Sequence, residues 1–196
     1  MKDEFLIWAA HLDRKKNYCV LEDLDNVDDD FELKKGIPRQ HDFPDNAVYN
    51  MDPEYPRNVV LADNLFNINR MIVASGVLKR FVEERSPANM EYLPVTIMNH
   101  KGRVASRDYF ILHPVHPQDG LDADASGAVW SDFIDDEIDE VERLVIDASK
   151  IPREIQLLRL KYYPDPILVR RNLAEAISNE GFTGIRWITL DQYPEG

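Results

Sequence analysis

From Asp108 to Glu142 the chain runs thirty-five residues without a lysine or arginine, and that stretch carries eleven acids, nine of them between Asp122 and Glu142. Charge at this density cannot enter a core without partners, so the segment belongs on a surface. A first acidic run, Glu22 to Glu32, precedes it with seven acids and no base. Self-repulsion makes such surfaces costly unless something uses them. They repel phosphate backbones and anionic lipid, and they steer cationic partners inward. The plainer role of a charge run is a solvated face that keeps the chain soluble. With a net charge of −13 and a pI near 4.8, nucleic-acid and membrane-surface binding are disfavoured.

Length and composition fit one domain, or one domain with a small extension: 196 residues, 44% of them hydrophobic. The single cysteine, Cys19, cannot form an internal disulfide and reads as a small buried hydrophobe at a strand end. The apolar run Phe5–Ala10 follows acids rather than a basic region and is too short for a signal-peptide core. No run approaches the roughly 20 apolar residues of a membrane span. A cytoplasmic protein is expected.

Strand-like runs outnumber helical ones. Phe5–Ala10, Tyr18–Leu21, Met71–Ala74, Glu91–Met98, Asp108–Leu112, Arg143–Asp147, Ile155–Leu160 and Thr183–Leu190 read as strands. Asn99–Gly102 makes a hairpin of Glu91–Met98 and Asp108–Leu112. Ser75 is placed to cap a helix that turns Val77, Leu78, Phe81 and Val82 inward and ends at Pro87. A second helix spans Arg171–Asn179, with Leu173, Ala174 and Ile177 inward and Gly181 beyond its end, followed by the apolar Phe182. The spacing of Phe133, Ile134, Ile138 and Val141 fits a short amphipathic helix over 131–142. Four prolines between Pro38 and Pro56 predict irregular chain. A boundary falls near residue 58, dividing N-terminal strands and a Pro-rich extension (1–58) from the main domain (59–196). The expected class is α+β, a mostly antiparallel sheet with a few packed helices.

No catalytic motif emerges: there is no phosphate-binding glycine loop and no nucleophile elbow. His113, His116 and Asp119 could form a metal-hydrolase loop, but a proline after each histidine favours an extended, kinked strand exit. Asp122, Asp124, Ser126 and Gly127 resemble the start of a calcium loop, yet Phe133 stands where the bidentate glutamate is required. The paired acids show no environment that would split their pKa values for acid–base work. The cations Lys150, Arg153, Arg159, Lys161, Arg170, Arg171 and Arg186 read as internal neutralisers of the acid surface. No metal, cofactor or catalytic residue is expected.

Val73–Phe81, Glu91–Ile97, Asp108–Leu112, Leu121-Asp122, Ser126, Leu144–Asp147, Leu168–Ile177 and Gly181–Arg186, in this order, resemble immunity family eleven of bacterial polymorphic toxin systems. The resemblance spans roughly residues 59–190. It implies a non-enzymatic protein that neutralises a cognate antibacterial toxin, delivered between cells by a secretion apparatus such as type VI. It carries no catalytic residues over. Charge adds the expectation of a basic toxin, with a nuclease the favoured class. The residues expected to face it are Asp122, Asp124, Trp130, Asp132, Asp135, Asp136, Asp139 and Glu140. Aromatic anchors could come from Trp130, Phe133, Tyr162, Tyr163 and Trp187, with core packing the preferred role for Phe133 and Trp187. A metal-dependent hydrolase and an adaptor for a secretion component are the competing readings.

Overall fold

The structure, a computed structural model, describes residues 4–13 and 15–194. Its twelve strands and four α-helices form two main sheets and one small hairpin, confirming the α+β class. The strands are β1 (Phe5–Ala10), β2 (Val20–Asp25), β3 (Val48–Met51), β4 (Asn64–Asn67), β5 (Ile72–Ser75), β6 (Met90–Met98), β7 (Val104–Pro114), β8 (Val129–Trp130), β9 (Ile138–Glu140), β10 (Leu157–Arg159), β11 (Ile167–Arg170) and β12 (Ile185–Ile188). The helices are α1 (Phe31–Lys34), α2 (Gly76–Arg85), α3 (Ala123–Ser126) and α4 (Arg171–Glu180).

Six strands close a barrel in the order β2-β3-β6-β7-β5-β4. Four of its pairings are antiparallel, and β2/β4 and β3/β6 are parallel. The second sheet, β10-β11-β1-β12, is antiparallel throughout. Residues before 58 supply strands to both sheets. The Pro-rich segment also holds a strand the sequence reading lacked, because β3 takes the short non-proline interval between Pro44 and Pro53.

Period-two alternation places the core. On β7, Tyr109 and Ile111 point into the barrel beside Tyr49, Leu93 and Ile97, while Leu112 points out. Strand β1 is buried on both faces, which is why it reads as a continuous apolar run. Leu6 and Trp8 pack towards the barrel, with Leu78 and Val82 of α2 and Leu173, Ala174 and Ile177 of α4. Phe5 and Ile7 pack on the opposite face, under Leu121, Ile138 and Val141 of the acidic stretch and Leu144 just beyond it. The acidic stretch is therefore an outer layer on the second sheet, pinned by a few apolar residues.

Ser75 caps α2, its Oγ accepting from the Leu78 amide at 3.3 Å. Val77, expected on the inner face, is exposed at the edge of the stripe. Gly181 ends α4 with φ +74, in the left-handed conformation that a Cβ disfavours. Phe182 stacks edge-on against Phe81, tying the two helices together.

Two expectations fail in the acidic layer. Residues 131–142 form no helix: Trp130 and Ile138 pair across a hairpin. In a helix Asp132, Asp135, Asp136, Asp139 and Glu140 would lie three or four residues apart on one face, stacking like charges. The chain escapes that through an extended loop with Asp136 at φ +60. Arg143–Asp147 is no strand either. Ile146 makes a single bridge to Leu121, and Asp147 then caps a 3-10 turn, Ala148–Lys150.

Candidate functional site: the acidic hairpin

The two acidic runs meet different fates. The first folds around Arg39, a buried guanidinium whose Nη1 donates to Glu32 (2.9 Å) and to the carbonyls of Asp28 and Asp29, while Nε donates to Asp42. The first four residues of that run are strand, because β2 continues to Asp25. The second run has no such centre. Glu137 pairs with Lys35 at 3.0 Å, but Asp122, Asp124, Asp132, Asp135, Asp136, Asp139 and Glu140 form no ion pair among the described residues. All seven are exposed.

Local hydrogen bonds hold this layer. The Asp122 carboxylate accepts from the Ala125 amide (3.0 Å), and Gly127 closes the short helix α3 at φ +63. Buried Ser126 then fastens the loop to the chain that follows: its carbonyl accepts from the Glu142 amide and its Oγ from the Val145 amide. Beyond these contacts the β8/β9 hairpin projects, closed by the Ser131 amide donating to the Glu137 carbonyl at 2.9 Å. Its base is tied down by the Ile138 amide donating to the Tyr162 carbonyl (2.8 Å) and by an edge-on Trp130–Tyr162 contact at 5.4 Å.

The tip of the hairpin is apolar. Phe133 is 95% exposed and Ile134 47%, with Val129 and Trp130 about half exposed beneath them. This overturns the expectation that Phe133 packs in the core. Burying a Phe side chain contributes about 1.5–3 kcal/mol, and the fold forgoes that gain here. The tip is not evident from the sequence because the spacing of Phe133 and Ile134 with Ile138 and Val141 also suits a helix face. Behind the tip lies a groove of about 350 Å³, lined among others by Lys35, His116, Ile134, Asp136, Lys161 and Tyr162. Of the remaining aromatics, Trp187 packs on Trp8 at 5.1 Å, and Tyr163 contacts Tyr193.

The histidine loop is not assembled for metal. His113 is fully buried, its Nε2 2.8 Å from the Ile37 carbonyl. His116 and Asp119 lie exposed, and no group of three His, Cys, Asp or Glu among the described residues is placed to hold a metal ion. Burial, with Arg159 and Arg39 nearby, holds the His113 pKa below 6.5 against the opposing pull of the Ile37 carbonyl and Glu91. Cys19 is buried, its thiol pushed up to about 12 by burial. Arg159 and Arg170 do not neutralise the acidic run. Arg170 holds the carbonyls of Ile151, Pro152 and Ile155 and pairs with Glu4.

The sequence profile described as Immunity protein family (Imm11) matches residues 9–192. The chain belongs to that family. The match to Imm11 reaches well before residue 59, taking in the last two residues of β1 and all of β2 and β3. Membership in Imm11 supports a toxin-neutralising role and a toxin as partner. No curated protein matches the chain closely. No helix among the described residues is long and apolar enough to cross a membrane.

Proposed function

We propose that this Imm11 protein neutralises a cognate antibacterial toxin by seating the β8/β9 hairpin on it. Phe133 and Ile134 enter an apolar socket while the surrounding carboxylates meet a basic rim. The observation that carries this reading is the 95% exposure of Phe133 at the tip of an acid-lined hairpin. Interfaces draw their affinity from a few desolvated aromatic anchors, and charged surroundings supply encounter rate and orientation. In this arrangement Asp132, Asp135, Asp136, Asp139 and Glu140 steer, Trp130 supports the tip from below, and Asp122 and Asp124 extend the negative field. A nuclease intercepted in the cytoplasm is the toxin class such a field suits best, because its active site is built to hold a polyanion.

The test is co-expression with the toxin. The double variant Phe133→Ser/Ile134→Ser should lose protection and weaken binding by about 2 kcal/mol or more, roughly 30-fold in Kd. Its melting temperature should not fall, since neither side chain packs in the core. Full protection by a soluble double variant would place the interface elsewhere.

A further inference from the structure

A second cleft, about 300 Å³, is lined by Lys34, Ile68, Asn69, Arg70, Arg159 and Asp165. Three of these six are cations, on a chain whose net charge is −13. Lys34 and Lys35 divide between the two clefts, with Lys35 lining the groove behind the hairpin.

Arg159 is 2% exposed. Its Nη1 donates to the Pro164 carbonyl at 2.7 Å, and Nη2 lies 3.6 Å from the Met71 sulfur. Its Nε has no acceptor, and no carboxylate pairs with the guanidinium among the described residues. Burial lowers its pKa to about 10, so it stays charged at neutral pH. A buried cation served by carbonyls and a thioether alone lacks the counter-charge that such groups require. The nearest acid, Asp165, leans towards Arg70 instead, at 3.7 Å.

Asn69 narrows the ligand class. Its Nδ2 donates to Asp23 Oδ1 at 3.1 Å, which fixes the amide orientation, since the flipped amide would set two oxygens together. Its Oδ1 is consequently an acceptor, and it is buried without a donor. We infer that this cleft binds a phosphate-class oxyanion: Lys34 and Arg70 contact its oxygens, and a small side-chain shift that uncovers Arg159 Nε and Asn69 Oδ1 lets the first donate to an oxygen and the second accept from a P–OH group. Phosphate keeps such a proton near neutral pH and sulfate does not, so the cleft discriminates between them. The inference stands independently of the hairpin and the toxin.

The full chain titrated with inorganic phosphate, and in parallel with sulfate at matched ionic strength, tests it by NMR of the arginine side chains. The Arg159 Nε–H resonance should shift saturably with phosphate and bind sulfate at least about tenfold more weakly, the loss of one charge-assisted hydrogen bond. The variant Lys34→Gln/Arg70→Gln, which avoids disturbing buried Arg159, should weaken phosphate binding by about tenfold or more. Asp165→Asn should strengthen it. An Arg159 signal unmoved by phosphate would overturn the site, and equal binding of sulfate would overturn the assigned ligand class.

Discussion

Gly184 joins the two halves of the fold. At φ +78, its carbonyl accepts from the His11 amide and from Asn64 Nδ2, both at 2.9 Å, and an added Cβ would collide with the Asn64 backbone. Gly184→Ala should therefore destabilise the chain by about 2–4 kcal/mol, combining left-handed strain with overpacking, as read by chemical denaturation. His113 sets the acid side of the stability curve. Its folded pKa lies below 6.5, so below that value the unfolded chain binds a proton that the folded chain resists. Stability should fall as pH drops from about 6.5 towards the folded pKa, by up to about 1.4 kcal/mol per pH unit, and be unaffected by this group above about 7. The slope should flatten in His113→Gln. Cys19, Ser75 and Gly181 were legible in the sequence because their roles are local: a small apolar group at a strand end, a cap and a left-handed helix stop. Phe133 was not legible, because exposure is decided by which face of the second sheet the acidic layer covers.

At the scale of elements, β1, β5, β6, β7, α2 and α4 follow from short-range patterning, and the structure places them within a residue or a few of the expected bounds. Their apolar period and their packing agree. The Ser75 cap is worth about 1 kcal/mol to α2, and Ser75→Ala should show at least that loss in denaturant melts, since Ser75 Oγ also donates to Asp63 at 3.0 Å. Strands β3 and β4 escape the pattern because each is only four residues long, and the segments assigned the wrong element lie in the acidic layer. There the apolar spacing of Ile138 and Val141 suits a helix, but repulsion among the intervening carboxylates and the pull of the second sheet's outer face favour a hairpin. Replacing Asp132–Asp136 by a short Gly/Asn loop should leave the fold and its melting temperature intact while abolishing neutralisation. Loss of folding in that variant would mean the loop is structural.

Among the described residues the molecule is a barrel and a sheet joined by a shared hydrophobic cluster, with an acidic layer on the sheet's outer face in which Glu137 alone is ion-paired. The charge imbalance was legible from composition. Its division into a run gathered around Arg39, which pairs with Glu32 and holds the carbonyls of Asp28 and Asp29, and a run without such a centre was not, because the burial of Arg39 is set by the fold. The open run should govern the rate of toxin capture. Raising ionic strength from about 0.01 to about 0.15 M shortens the screening length from roughly 30 to 8 Å, so the association rate should fall by about tenfold or more while dissociation changes little. The variant Asp135→Lys/Asp136→Lys/Asp139→Lys/Glu140→Lys should lose that salt dependence. Hydrogen–deuterium exchange of the purified protein with and without its toxin tests the central claim most directly. Amides across 129–140 should become strongly protected in the complex; unchanged exchange there, with protection on another face, would contradict it.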